Sequence, residues 1–217
     1  MTSNHSPNGR SVAITGGARG IGLSTATELA AAGARVILGD LDAELAAEEA
    51  ARLGGLGLEL DVTDADSFSA FIDSAERDSG QLDVLINNAG IMPTGPFLDQ
   101  SPELVERIFE VNVLGVMRGV RLALPAMLER RSGQIVNVAS VAGRQVAAGM
   151  ATYCASKHAV VGLTRALARE HRDSGVRFTL VMPSFTRTRM TEGASSGRVP
   201  AAEPADVGRG IAAAVIE

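Results

Sequence analysis

Six short apolar runs, each followed by a stretch of helical spacing, constrain the fold of this 217-residue chain more than any other feature. The runs span 11–15, 35–39, 56–60, 84–87, 134–139 and 176–182. They read as nearly continuous hydrophobic segments, the pattern of strands buried on both faces of a parallel sheet. The helical stretches run over 21–32, 44–53, 66–78, 101–131 and 152–173, and Pro204 opens a last one. Gly33, Gly54, Gly80, Gly133 and Gly175 follow the first five, and glycine past a helix end is the expected stop. Strands alternating with helices specify an α/β chain: a doubly wound parallel sheet, or Rossmann fold, as a single domain of three layers over 11–217.

Composition narrows the function classes. Hydrophobic residues make up 46% of the chain and aromatics only 3%, so a large core must be built from Ala, Val, Leu and Ile, which excludes disorder. The formal net charge of −5 offers no basic footprint, so nucleic acid is not an expected partner. A single cysteine, Cys154, cannot form an internal disulfide and favours a reducing compartment. No apolar run approaches the roughly 20 residues of a membrane-spanning helix, so no membrane insertion is expected. Residues 1–10 are polar, unlike a signal peptide, and read as a disordered tail. A cytoplasmic protein is expected.

Between the first predicted strand and helix lies Thr15-Gly16-Gly17-Ala18-Arg19-Gly20-Ile21-Gly22. Glycines there let the backbone turn sharply and approach a pyrophosphate, whose charge meets the helix N-terminus. A glycine cluster alone is equally a tight turn; its place between strand and helix points to a dinucleotide. Asp40 follows the second run, where a carboxylate would accept ribose hydroxyls and repel the extra phosphate of NADP. Arg19, inside the turn, would attract that phosphate. NAD is the expected cofactor and NADP the alternative.

Farther on, Tyr153 and Lys157 are four residues apart at the start of a helical stretch, and Ser140 ends a strand. The two share one helix face, so their polar ends can meet one ligand. A free tyrosine, with a pKa near 10, is a poor base at neutral pH. A lysine ammonium within roughly 4–6 Å favours phenolate. Tyr153 would then act as base toward an alcohol and as acid toward a ketone, with Ser140 hydrogen-bonded to the substrate oxygen. The plainer readings are a strand-end cap for Ser140 and an exposed helix pair for the other two.

With these residues the sequence resembles the short-chain dehydrogenase/reductase family in its compact single-domain branch. The matching motifs are the turn at 15–22, Asp61-Val62, Asn87-Asn88-Ala89-Gly90, Asn112, Ser140, Tyr153-x-x-x-Lys157 and the segment 183–188. The resemblance implies that Lys157 also binds the nicotinamide ribose and that Asn112 holds a water linking the lysine to solvent. It implies that Asp61 accepts a hydrogen bond from the adenine amino group beside Val62, and that Asn88, Ala89 and Gly90 line the adenosine ribose. The pyrophosphate would lie on Gly16, Gly20, Ile21 and Gly22, and the nicotinamide among Pro183, Thr186 and Thr188. Two departures stand out. Ser184 replaces the glycine that usually follows the proline, which puts that loop's geometry in question. The chain also stops at Glu217 inside a helical segment, where family members continue into a seventh strand, so a truncated chain is expected. Residues 191–202, rich in Gly, Ser and Ala, read as a flap over the substrate.

His5, His158 and His171 show no ligand spacing with Cys154, so no metal site is expected, and Cys154 reads as a small packing residue. The leading function is hydride transfer between NAD(H) and a secondary alcohol or ketone. A small apolar substrate, such as a hydroxysteroid or retinoid-like lipid, would suit a pocket of Val141, Ala142, Val146, Met150 and Met182. Two alternatives stay open: an NADP-dependent carbonyl reductase, and a dinucleotide-sensing regulator that uses the fold without catalysis. Finally, 101–131 carries Val105, Ile108, Val113, Val116 and Val120, and 152–173 carries Val160, Val161, Leu163 and Leu167. Apolar residues on more than one helix face predict at least a homodimer through these helices, and the resemblance implies that a homotetramer would use the C-terminal strand.

Overall fold

The computed structural model describes residues 9–191 and 200–216. The expected tail at 1–8 and the centre of the expected flap, 192–199, lie outside the described residues, as does Glu217. Six strands form one parallel sheet: β1 (Ser11–Thr15), β2 (Arg35–Asp40), β3 (Leu56–Glu59), β4 (Val84–Asn87), β5 (Gly133–Val138) and β6 (Val176–Val181), in the order β3-β2-β1-β4-β5-β6. The order reverses between β1 and β4, and at such a switch point the loops beyond the strand C-termini diverge to leave a crevice.

Both faces of the sheet are covered. Val12 and Ile14 of β1 point to a layer made by α1 (Gly20–Ala31) and α7 (Pro204–Ile216), where Ala26, Leu29, Ile211 and Val215 are buried. Ala13 points the other way, into a core with Phe68 and Phe71 of α3 (Ala65–Ser79) and Val120 and Met127 of α5 (Gly115–Glu129). Side chains write the helix starts. Asp42 accepts from the Leu45 N–H at the head of α2 (Ala43–Arg52), Asp64 caps α3, and Ser101 caps α4 (Pro102–Phe109) with Pro102 at its first position.

The stretch 101–131 is not the single helix that its periodicity predicts. It is α4, a π-helical turn at Glu110–Leu114, and α5. The wide turn carries the buried Asn112, whose amide bonds the backbone of Ile91 (Asn112 Nδ2 to Ile91 O 2.9 Å; Ile91 N to Asn112 Oδ1 2.8 Å). A π turn at a functional position is common, because the extra residue re-aims a side chain. By length and composition the continuous segment Pro102–Glu129 is long and apolar enough to cross a membrane, which the sequence reading did not expect: an 18-residue window within it has a mean hydropathy of 1.4. Half of that window is buried within the protein, and its apolar side faces the sheet.

The residues expected to form a second, outward apolar face are divided: Val105, Leu163 and Leu167 are half-buried. Ile108, Val113, Val116, Val120, Val160 and Val161 are all buried inside the subunit. The outward side of α6 (Ala151–Glu170) instead presents Ala155, His158, Gly162, Arg165 and Ala166.

A buried polar chain crosses the sheet. Asn87 Nδ2 donates to Asn137 Oδ1 at 2.8 Å, and Asn137 Nδ2 donates to Thr164 Oγ1 of α6 at 3.0 Å. All three residues are buried, and each amide is satisfied across neighbouring elements.

Candidate functional site

The glycine turn sits at the switch point, between β1 and α1, and its shape is held by β4. Thr15 Oγ1 accepts from the Asn88 N–H (3.0 Å) and the Ala89 N–H (2.9 Å), while Asn88 Nδ2 donates to the carbonyls of Thr15 (2.9 Å) and Gly16 (3.1 Å). Gly22 packs inward: a Cβ there would fall within the shell of the Gly16 carbonyl oxygen and 2.8 Å from Asn88 Nδ2. Gly20 differs. It has φ +57, a left-handed conformation that favours glycine, and a Cβ there would meet only Thr188, at 3.4 Å. Arg19, at the N-cap of α1, makes no side-chain cap, so the first-turn N–H groups, Ile21 included, have no side-chain acceptor.

At the adenosine end, Asp40 accepts from the Ala18 N–H through Oδ2 and from the Asp42 N–H through Oδ1, both at 3.2 Å. Arg19 turns away to pair with Asp42 (Nη2 to Oδ2, 2.5 Å). Asp61 Oδ1 accepts from the Thr63 N–H (2.8 Å) and hydroxyl (2.7 Å) beside the buried Val62. Burial raises the Asp61 carboxyl, but the bonds from Thr63 and the charges of Arg107 and Arg118 outweigh it and leave the group below its ordinary value.

The Ser140, Tyr153 and Lys157 side chains converge at the C-terminal end of β5. Ser140 Oγ caps a single 3₁₀ turn by accepting from the Ala142 N–H at 3.1 Å, and it also shares a hydrogen bond with the Tyr153 phenol. The strand-end cap and the functional reading thus describe one and the same side chain. Lys157 Nζ lies 5.7 Å from the centre of the Tyr153 ring and donates to the Val138 carbonyl at 3.2 Å. Tyr153 and Lys157 are 6% and 5% exposed, which removes the exposed-pair reading. Burial raises the Tyr153 phenol above 10.0, and the Ser140 bond only opposes that. The protein alone does not depress the phenol, contrary to the sequence argument, because burial of the phenol itself outweighs the Ser140 bond. Asn112 and Gly90 close the back of this cluster: a Cβ on Gly90 would lie 3.1 Å from Asn112 Oδ1 and 3.5 Å from Lys157 Nζ.

Burial lowers the Lys157 ammonium from 10.5 to about 8. The unfolded chain therefore still holds a proton that the folded state has released between pH 8 and 10.5, and stability rises with pH across that window. From pH 7 to 9.5 the gain is expected to be about 2 kcal/mol, read from urea midpoints. Lys157→Met should remove this slope; an equal slope in the variant would mean that another group causes it.

The segment after β6 completes the crevice. The Pro183 carbonyl accepts from the Val141 N–H at 3.0 Å, which ties this segment to the Ser140 turn. Thr186 is buried and its hydroxyl donates to the Ser184 carbonyl at 2.9 Å, while Thr188 reaches the glycine turn. Ser184 is exposed and has no positive φ, so serine fits where glycine was expected. Of the expected pocket residues, Val141 and Val146 form an exposed rim, whereas Met182 packs beside Ala139, Val160 and Val161.

A family model for short chain dehydrogenases matches residues 10–198. The chain belongs to the short-chain dehydrogenase family. Cyclopentanol dehydrogenase of Comamonas testosteroni is 41% identical over 190 residues, covering 85% of this chain and 76% of the relative. The 2-(S)-hydroxypropyl-CoM dehydrogenase 3 of Xanthobacter autotrophicus is 46% identical over 177 residues, covering 79% and 69%. Among solved structures, the 3-ketoacyl-(acyl-carrier-protein) reductase of Brucella melitensis complexed with NADH superposes with a TM-score of 0.90 at 29% identity, over 95% of this chain and 90% of that one. Levodione reductase gives 0.89 at 28% identity, over 97% and 91%.

The chain is thus an NAD(P)-dependent oxidoreductase of the short-chain dehydrogenase family, acting on CH–OH groups. Around the glycine turn, only Thr188 would come within 4 Å of a Cβ on Gly20, and the first-turn N–H groups of α1, which have no side-chain cap, are suited to phosphate. Sequence reasoning missed two supporting residues. Thr15 clasps the turn to β4, and a hydroxyl residue ending the first strand was the available signal. Ser156 accepts from Asn112 Nδ2 (3.1 Å) and donates to the Tyr153 carbonyl (2.7 Å), and its place inside the Tyr153–Lys157 motif was the available signal.

Proposed function

We propose that this short-chain dehydrogenase interconverts a secondary alcohol and a ketone with NAD(H), and that Ser140, Tyr153 and Lys157 carry the proton chemistry. The observation behind this reading is the buried Ser140–Tyr153–Lys157 cluster. Bound nicotinamide would supply or accept the hydride. In the oxidative direction the Tyr153 oxygen, as phenolate, takes the hydroxyl proton while Ser140 holds the substrate oxygen; in reduction the phenol returns that proton to the carbonyl oxygen. Lys157 would hold the nicotinamide ribose and favour the phenolate, with Asn112 behind it as anchor for a water. Asp40 would take the adenosine ribose hydroxyls, Asp61 and Val62 the adenine, and Asn88, Ala89 and Gly90 the ribose wall. Gly16, Gly20, Ile21 and Gly22 would hold the pyrophosphate, and Pro183, Thr186 and Thr188 the nicotinamide.

The names of two relatives support an alcohol substrate, since cyclopentanol and a hydroxypropyl group each carry a hydroxyl. Val141 and Val146, in the segment that follows Ser140, and Met190, which follows Thr188, are exposed apolar side chains, which favours an apolar substrate. Titration with NADH and NADPH, followed by assay on cyclic and linear secondary alcohols, tests the reading. NADH is expected to bind more tightly; tighter binding of NADPH would overturn the cofactor assignment.

A further inference from the structure

The sequence leaves two opposed charges at the cofactor's adenosine end, Asp40 against and Arg19 for a 2′-phosphate. The structure shows what Arg19 is doing: its guanidinium is engaged by Asp42, two residues beyond Asp40. The two oxygens of Asp42 have separate tasks. Oδ1 accepts from the Leu45 N–H at 3.2 Å as the cap of α2, and Oδ2 meets Arg19 at 2.5 Å. The Leu45 N–H and then Arg19 hold this carboxyl below its ordinary value, and the charge of Arg189 acts in the same sense. Asp40 is anchored separately, by the N–H groups of Ala18 and Asp42. Two carboxylates therefore lie beside the glycine turn, and its guanidinium is committed to Asp42.

We propose that Asp42 is a second determinant of cofactor choice, a positioning residue that holds Arg19 in an ion pair and so withholds it from a 2′-phosphate. The proposal rests on the NAD(H) reading above. Arginine is suited to phosphate because its planar fork can donate two parallel hydrogen bonds to it. To offer that fork, Arg19 would have to leave Asp42, and the freed carboxylate would then repel the incoming dianion. The pair serves the fold little: its side chains are 39% and 45% exposed, and exposed pairs of this kind add little to stability. Its consequence lies in where it keeps the guanidinium.

Asp42→Asn tests this, because asparagine retains an oxygen for the Leu45 N–H and the α2 cap survives. Dissociation constants for NADH and NADPH are measured by nucleotide fluorescence in wild type, Asp42→Asn, Arg19→Gln and the double variant. Asp42→Asn is expected to tighten NADPH by about three- to fivefold, the scale of one exposed ion pair, while NADH changes far less. In the Arg19→Gln background the same substitution should bring a clearly smaller gain, the relief of repulsion alone. Equal gains in both backgrounds would mean simple removal of a negative charge and would overturn the holding role, as would unchanged NADPH affinity in Asp42→Asn. Wild type preferring NADPH would defeat the NAD(H) reading, and the four-variant comparison would still decide the role of Asp42.

Discussion

Replacing Tyr153 with phenylalanine is expected to abolish turnover while NADH binds as it does to the wild type. The ring is buried, and phenylalanine fills the same volume, so packing around it persists. The neighbours also keep partners: Ser140 still caps the Ala142 N–H, and Lys157 still donates to the Val138 carbonyl. What disappears is the oxygen that moves the proton. General acid–base catalysis contributes about 10²–10⁴-fold, so kcat should fall by roughly three orders of magnitude or more in both directions. Turnover within tenfold of wild type would refute the assignment. Steady-state rates alongside nucleotide fluorescence separate a lost proton step from a lost cofactor.

Gly22→Ala should damage the glycine turn severely. The added carbon would sit against the Gly16 carbonyl oxygen, which is backbone and cannot swing aside, and against the Asn88 amide that clasps the turn. The turn must open, which costs about 1–3 kcal/mol as overpacking and lowers the melting temperature by about 3–10 °C. Nucleotide affinity should fall by about 100-fold, because the first-turn N–H groups of α1 lose their aim. Gly210→Ala in α7 is the control: nothing lies within 4 Å of its added carbon, so the helix should gain slightly. Unchanged nucleotide affinity in Gly22→Ala would show that the turn does not position the cofactor.

The strands were legible because a parallel sheet covered on both sides needs uninterrupted apolar runs, and each predicted boundary falls within about one residue of the observed one. The π turn was not legible: Val111 and Val113 keep helical periodicity running straight through it. The elevated Tyr153 phenol escaped the sequence as well, since spacing shows that a lysine is near but not how deeply the phenol itself is buried. The commitment of Arg19 to Asp42 depends on how two loops meet, which no local pattern encodes. Site residues that lie within motifs could be read from the chain; the contacts between motifs required three dimensions.

The Asn87–Asn137–Thr164 chain has a consequence for how this chain finds its fold. β4 and β5 are parallel neighbours with Asn87 directly opposite Asn137, yet some fifty residues of chain separate them. Apolar side chains would accept a slipped alignment of the two strands with modest loss. Two amides would not, because sliding either strand strands both among hydrocarbon, at about 1–3 kcal/mol for each unmet group. The polar chain thus acts as a lock on register. It penalises misaligned sheets during assembly, where the uniform Val, Leu and Ile content of the strands could not tell one pairing from another.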